Sequence, residues 1–202
     1  DYPKYASSAA HLYGKPRAFT ESFAAYRPAP DVAQAKWILD HQLARGLNMV
    51  EVMFIPASTK GELGLNGWTA APEFPAIATY IHRACYMLSQ GRPVAEIAVY
   101  HPTASLWLGD RQANGHVLRL MQQLLEQQLD FDFIDDAALA STLVSANGAL
   151  KNLSGQSYRA IIVPPTKVIS RAALARLQSF AAAGGRVFFL GPEPAVADRT
   201  FL

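Results

Sequence analysis

The chain has one cysteine, little net charge and no long apolar run, and each shortage excludes a class of protein. Cys85 stands alone, so an intramolecular disulfide and a zinc site built from cysteines are excluded. The 18 lysines and arginines nearly balance the 16 aspartates and glutamates. They form no basic run interleaved with aromatic residues, so we expect no nucleic-acid partner. No apolar run reaches membrane-spanning length, so we expect no membrane partner.

The chain also lacks the glycine-rich motifs that bind nucleotides. Neither Gly-x-Gly-x-x-Gly nor Gly-x-x-x-x-Gly-Lys-Ser/Thr follows an expected strand, which leaves a dinucleotide or P-loop site unsupported. Asp132, Asp135 and Asp136 are close together in the sequence, but they lack the loop glycine and final glutamate of a calcium loop. We therefore assign them to capping and solvation, and we predict neither a metal site nor a cofactor.

The first third of the chain has the pattern of a strand, a helix and a second strand. A Gly-Lys-Pro turn precedes a short extended run over 17–21, and residues 32–45 have helical spacing. Residues 47–55 form a nearly continuous apolar run that a proline closes. Continuous apolar strands are typical of parallel sheets that are covered on both faces. We therefore predict parallel α/β architecture, with the carboxyl ends of the two strands side by side.

Glu21 is the candidate catalytic residue in this pattern. Alternation along the first strand places it on the same face as Arg17 and Phe19, at the carboxyl end. In α/β folds the loops at that end converge on a crevice where chemistry collects. In the second strand, alternation from Met53 leads us to expect Glu51 on the same face as Met53. The alternative interpretation of Glu21 is a surface glutamate that caps the next loop, which is the commoner role of a lone glutamate.

The residues around Glu21 also resemble a known family. The segments 5–16, 20–23 and 45–48 together resemble the last part of the catalytic barrel in α-L-rhamnosidases of glycoside hydrolase family 106. The resemblance implies that Glu21 ends the seventh strand of a (β/α)8 barrel as one of two catalytic carboxylates. It also implies that Gly-Leu-Asn, which ends at Asn48, opens the eighth strand, and that the second carboxylate comes from an earlier strand.

We accordingly predict Glu21 as the catalytic residue and Glu51, Trp68 and Asn48 as substrate-binding residues. Trp68 lies in a long Gly- and Pro-rich stretch that would overhang the cleft, where its flat ring could stack on a sugar. The alternative is that Trp68 holds this loop against the body of the protein. Met53 stands where relatives often carry a histidine. The family resemblance also allows a calcium ion in the full enzyme.

Residues 94–191 have a β-α-β-α-β-α-β pattern, which predicts a doubly wound, mostly parallel sheet. Within it we interpret 147–157 as a polar loop. The runs Ile-Ala-Val-Tyr-His-Pro and Gly-Gly-Arg-Val-Phe-Phe-Leu-Gly resemble the flavodoxin-like or glutamine-amidotransferase-like domain that follows the barrel in several glycosidases. The amidotransferase nucleophile is missing, because no cysteine follows Cys85.

The best domain boundary is the Gly-Arg-Pro at 91–93. We expect 1–92 to hold the last strands and helices of an incomplete TIM-type barrel and 93–202 to hold the flavodoxin-like domain. Two strands cannot close a barrel. We therefore expect a piece of a longer glycosidase that is inactive alone and that needs the rest of the barrel or a homo-oligomer partner to cover its apolar surface.

The expected substrate is a carbohydrate, most specifically a terminal α-L-rhamnoside. Two other functions fit the same patterns. The chain could be a non-catalytic α/β module for binding or oligomerisation, in which Glu21 is structural, or part of a β-galactosidase-like retaining hydrolase. We expect a periplasmic or secreted location in preference to a cytoplasmic one.

Overall fold

The structure of the protein is a computed structural model that describes residues 2–23, 30–52 and 72–197. In this part of the chain, helices alternate with strands and the larger sheet is parallel throughout. The predicted α/β class with parallel sheets is therefore confirmed. None of the helices described there is long and apolar enough to cross a membrane.

The described residues form two compact units. The N-terminal unit contains residues 2–7 and the described part of 16–91, and the C-terminal unit contains 8–15 and 92–197. Helix α1 (Tyr2–Leu12) therefore contributes residues to both units. The expected boundary gave all of 1–92 to one domain, whereas 8–15 belong to the C-terminal unit by their packing.

The N-terminal unit is built around two parallel strands. After α1 its elements are β1 (Phe19–Ser22), α2 (Val32–Leu43), β2 (Met49–Val52) and α3 (Phe74–Leu88). The strands pair in register from Phe19 with Met49 to Ser22 with Val52. The expected strand over 17–21 is wrong by two residues at its start, because Arg17 lies before β1 and its guanidinium donates to the carbonyls of Asn48 and Cys85.

Helix α2 begins at the residue that its sequence predicts. The Asp31 carboxylate accepts from the Gln34 amide at 2.8 Å, and the Gln34 side chain accepts from the Asp31 amide at 3.2 Å. This reciprocal capping box satisfies two main-chain donors that the first turn leaves free. The helix ends at Leu43, before the predicted end at 45, and Gly46, with φ +91°, turns the chain toward β2.

Helices α2 and α3 pack on one face of the strand pair. Apolar residues of this core come from β2, α2, α3 and the residue after β1, namely Phe23, Val32, Ala35, Ile38, Leu39, Val50, Val52, Phe74, Ile77 and Ile81. The opposite face of the pair presents Phe19, Glu21, Met49 and Glu51, all of which are exposed. The unit thus has one covered and one open sheet face.

The C-terminal unit contains the larger sheet. In chain order its elements are β3 (Ile97–Tyr100), α4 (Thr103–Trp107), α5 (Arg111–Glu126), β4 (Phe131–Ile134), a π-helical turn (Ala138–Thr142), β5 (Val144–Ala146), β6 (Ala149–Lys151), β7 (Ser157–Tyr158), β8 (Ala160–Val163), β9 (Val168–Ser170), α6 (Arg171–Ala182), β10 (Arg186–Phe189) and β11 (Ala195–Ala197). Four parallel strands lie in the order β10-β8-β3-β4. The chain therefore moves to one side of β3 and then to the other, as in a doubly wound sheet.

The expectation of a polar loop over 147–157 is wrong in part. Strand β6 and the first residue of β7 lie within it, and with β5 these strands form an antiparallel sheet, while 152–156 connect β6 to β7 without a strand. Asn147 and Gly148, with φ +50° and +71°, form the turn between β5 and β6, and Asn-Gly is the strongest short sequence signal for such a hairpin. The pairing of β9 with β11 is a further feature that the sequence pattern did not predict.

A buried carboxylate lies beside the core of the C-terminal unit. Asp132 is 1% exposed, so its assignment to capping and solvation is wrong. Its carboxylate lies 2.9 Å from His11 Nδ1 and accepts from the Tyr158 hydroxyl at 2.8 Å. Burial, followed by the charge of Asp132, raises the pKa of Tyr158 far above its usual range, so this hydroxyl stays protonated and donates. His11 thus has a structural role as a partner of Asp132.

Candidate functional site

Glu21 and Glu51 are register partners at the carboxyl-terminal half of β1 and β2. Neighbouring strands lie about 4.8 Å apart, and opposed residues in a parallel pair point to the same side of the sheet. Both glutamates are exposed on the open face of the N-terminal unit. The structure therefore brings together the predicted catalytic residue and one predicted substrate-binding residue, which are 30 positions apart in the sequence.

Two apolar side chains lie next to the glutamates. Phe19 and Met49 precede them by two residues on the same strands, so alternation places all four on one face. Phe19 is 52% exposed and Met49 is 49% exposed. Carboxylates beside apolar surface suit a sugar, because its hydroxyls donate hydrogen bonds while its carbon-bound hydrogens contact apolar groups.

Asn48 lies just before the amino end of β2, away from the carboxyl end. Its Oδ1 accepts from the Ala18 amide at 2.9 Å, and its Nδ2 donates to the Pro16 carbonyl at 3.0 Å. Its own amide donates to the Ala18 carbonyl at 3.0 Å. These bonds join the start of β1 to the start of β2. The structure does not place Asn48 beside the two glutamates, and its role in binding substrate stays a prediction.

Trp68 and Met53 lie outside the described residues, as does most of the long loop after β2. The predicted stacking of Trp68 on a sugar therefore stays a prediction. Among the residues that the structure describes, no group of three or more His, Cys, Asp or Glu side chains could hold a metal ion.

The carboxyl end of β3 carries a second polar cluster, in which Asp110 and Lys167 are members that the sequence pattern did not predict. Asp110 is 6% exposed and accepts from the Ser105 hydroxyl at 2.9 Å and the Lys167 amide at 3.3 Å. Burial acts to raise the pKa of Asp110, but the Ser105 hydrogen bond and the Lys167 charge hold it below its usual range. Ser105 is fully buried. Because Lys167 lies in the loop after β8, its bond to Asp110 holds this loop in place. His101 binds Thr103 at 2.8 Å.

The fold and the open face are compatible with one class of protein. Glycoside hydrolases act through paired carboxylates, and in (β/α)8 barrels the active site lies at the carboxyl ends of the strands, where Glu21 and Glu51 are found. A family model described as alpha-L-rhamnosidase, glycoside hydrolase family 106, matches residues 2–199. The chain belongs to this family.

A solved structure agrees with the fold. A rhamnosidase from Novosphingobium sp. PP1Y matches with a TM-score of 0.61 and 21% identity, over 95% of this chain and 19% of that one. The chain thus spans about a fifth of the length of that rhamnosidase. A beta-galactosidase from Bifidobacterium adolescentis matches with a TM-score of 0.36 and 22% identity, over 49% of this chain and 40% of that one. The search of curated proteins found no significant match.

Proposed function

We propose that the chain is part of a longer glycoside hydrolase that removes terminal α-L-rhamnosyl groups, with Glu21 as one of its two catalytic carboxylates. The observation that carries this proposal is the register of Glu21 with Glu51 on an open sheet face. Family membership supplies the class of substrate. Glu51 is assigned to the sugar, together with Trp68 and Asn48 from the sequence prediction.

The chemistry requires a carboxyl group on each side of the scissile bond. One group protonates the departing oxygen, and the other, ionised, acts on water or on the anomeric carbon. Glu21 and Glu51 leave one sheet face at adjacent positions, so they approach a sugar from the same side. In this proposal Glu51 therefore binds the substrate beside Glu21, and the opposing carboxyl group comes from another strand of the longer enzyme.

The same proposal accounts for the open face. Residues 1–92 supply the last strands and helices of a TIM-type barrel, and the remaining strands close the barrel around this face. Residues 93–202 form a flavodoxin-like or glutamine-amidotransferase-like domain, which the strand order β10-β8-β3-β4 supports. A carbohydrate is the substrate, and the rest of the barrel is the partner that this chain needs.

The test is the Glu21→Gln variant of the full-length enzyme, assayed on an aryl α-L-rhamnoside. Loss of the ionisable group should lower kcat by about 10²–10⁴-fold, with an unchanged circular dichroism spectrum. Glu73→Gln is the matched control, because Glu73 is an exposed glutamate of the same unit just before α3. The 202-residue chain alone should show no hydrolysis. A Glu21→Gln rate within a few-fold of the parent would remove Glu21 from the mechanism.

A further inference from the structure

A hydrogen bond connects α2 to the strand segment that carries Glu21. The Ser22 hydroxyl donates to Gln42 Oε1 at 3.0 Å. The Thr20 hydroxyl lies 3.4 Å from that of Ser22 and donates to the Glu21 carbonyl at 3.3 Å. The residue after Glu21 thus binds helix α2, and the residue before it binds the main chain of Glu21.

We infer that Ser22 and Gln42 are positioning residues for Glu21, which fix the direction in which its carboxylate leaves β1. This inference rests on the proposed function. Ser22 follows Glu21 and points to the opposite face of the strand, where it is 3% exposed. Because Gln42 belongs to a helix that packs on the core of the unit, it provides a rigid attachment for the strand.

Phe23 completes this attachment. It has φ +79°, a left-handed conformation that a bulky residue rarely adopts. Its side chain is 2% exposed and belongs to the core with Ala35, Leu39 and Ile77. Strained residues of this kind persist where the surrounding packing determines them, and they concentrate at functional sites. The backbone on the carboxyl side of Glu21 is therefore held by a hydrogen bond at Ser22 and by packing at Phe23.

Orientation of a catalytic carboxylate has a measurable effect, since a displacement of about 1 Å can cost on the order of a hundredfold in rate. In the full-length enzyme, Ser22→Ala and Gln42→Leu each remove one partner of the Ser22–Gln42 bond. Each should lower kcat on an aryl α-L-rhamnoside by about tenfold or more, with KM within twofold. Ser22→Thr keeps the hydroxyl and should restore most of kcat. Ser89→Ala, which removes a hydroxyl that binds the Tyr86 carbonyl at 2.7 Å on α3, is the matched control.

A double variant separates positioning from general loss of structure. If Ser22 acts through Glu21, adding Ser22→Ala to Glu21→Gln should change the residual rate by less than twofold. Reductions that multiply, or single variants with kcat within twofold of the parent, would overturn the inference while leaving the proposed function intact. Full activity of Glu21→Gln would overturn both. If Ser22→Ala does not fold, Gln42→Leu takes its place. The kcat of Gln42→Leu, alone and combined with Glu21→Gln, then tests the positioning role by the same limits.

Discussion

Glu21 of β1 and Glu51 of β2 are register partners in a parallel pair whose shared face is open. Their proposed roles differ, so their variants should differ as well. Glu51→Gln in the full-length enzyme should raise KM for an aryl α-L-rhamnoside by about tenfold, because it weakens a charge-assisted hydrogen bond to the sugar. It should lower kcat far less than Glu21→Gln does. A loss of kcat as large as that of Glu21→Gln would instead give both glutamates a part in the chemical step.

Asn48 offers a test between a structural and a substrate-binding role. Asn48→Ala removes the bonds to the Ala18 amide and the Pro16 carbonyl. The variant should lower the free energy of unfolding by about 1–2 kcal/mol, measured by urea denaturation. Asn114→Ala, at an exposed position of α5, is the control and should be close to neutral. If KM rises severalfold while stability is unchanged, Asn48 binds substrate as the sequence analysis predicts.

The buried Asp132 should make the C-terminal unit sensitive to loss of its donors. Tyr158→Phe removes the hydroxyl that donates to Asp132 at 2.8 Å and that accepts from Asn152 at 2.8 Å. Because the carboxylate stays buried with one donor fewer, the variant should lower the free energy of unfolding by about 1.5–3 kcal/mol. Tyr13→Phe, at an exposed position of the same unit, should change it little. Equal thermal unfolding midpoints for the two variants would contradict this interpretation.

His101 should make stability depend on pH. Burial lowers the pKa of His101 below its ordinary 6.5, although Asp135 acts in the opposite direction. Since the unfolded chain takes up this proton more readily than the folded one, the contribution of His101 is present above pH 6.5 and is lost as the pH falls below that value. The thermal unfolding midpoint of the parent should therefore fall more between pH 7.5 and 5.5 than that of His101→Gln. A parallel decline in the two proteins would exclude His101 as the cause.

Local patterns predicted much of the fold. Helical spacing over 32–45 located α2 within two residues, and parallel pairing followed from the strand-helix-strand order. The boundaries that differ do so because contacts from elsewhere set them. Arg17, for example, binds carbonyls of residues that lie 31 and 68 positions away. The β5-β6 hairpin was available from Asn147-Gly148, a turn signal that the polar composition of the segment obscured.

The sequence by itself determined which side chains share a face, because alternation along a strand is a property of the local backbone. It therefore placed Glu21 on the same side of its strand as Phe19 without coordinates, whereas the pairing of the two strands set Glu21 beside Glu51. Tertiary structure decided which polar groups are partners. The His11–Asp132 pair joins residues 121 positions apart. The Ser22–Gln42 hydrogen bond joins residues 20 positions apart. A buried polar group needs a hydrogen-bond partner, and the fold can supply one from any part of the chain. The sequence separation between two such partners is therefore not encoded in a local pattern.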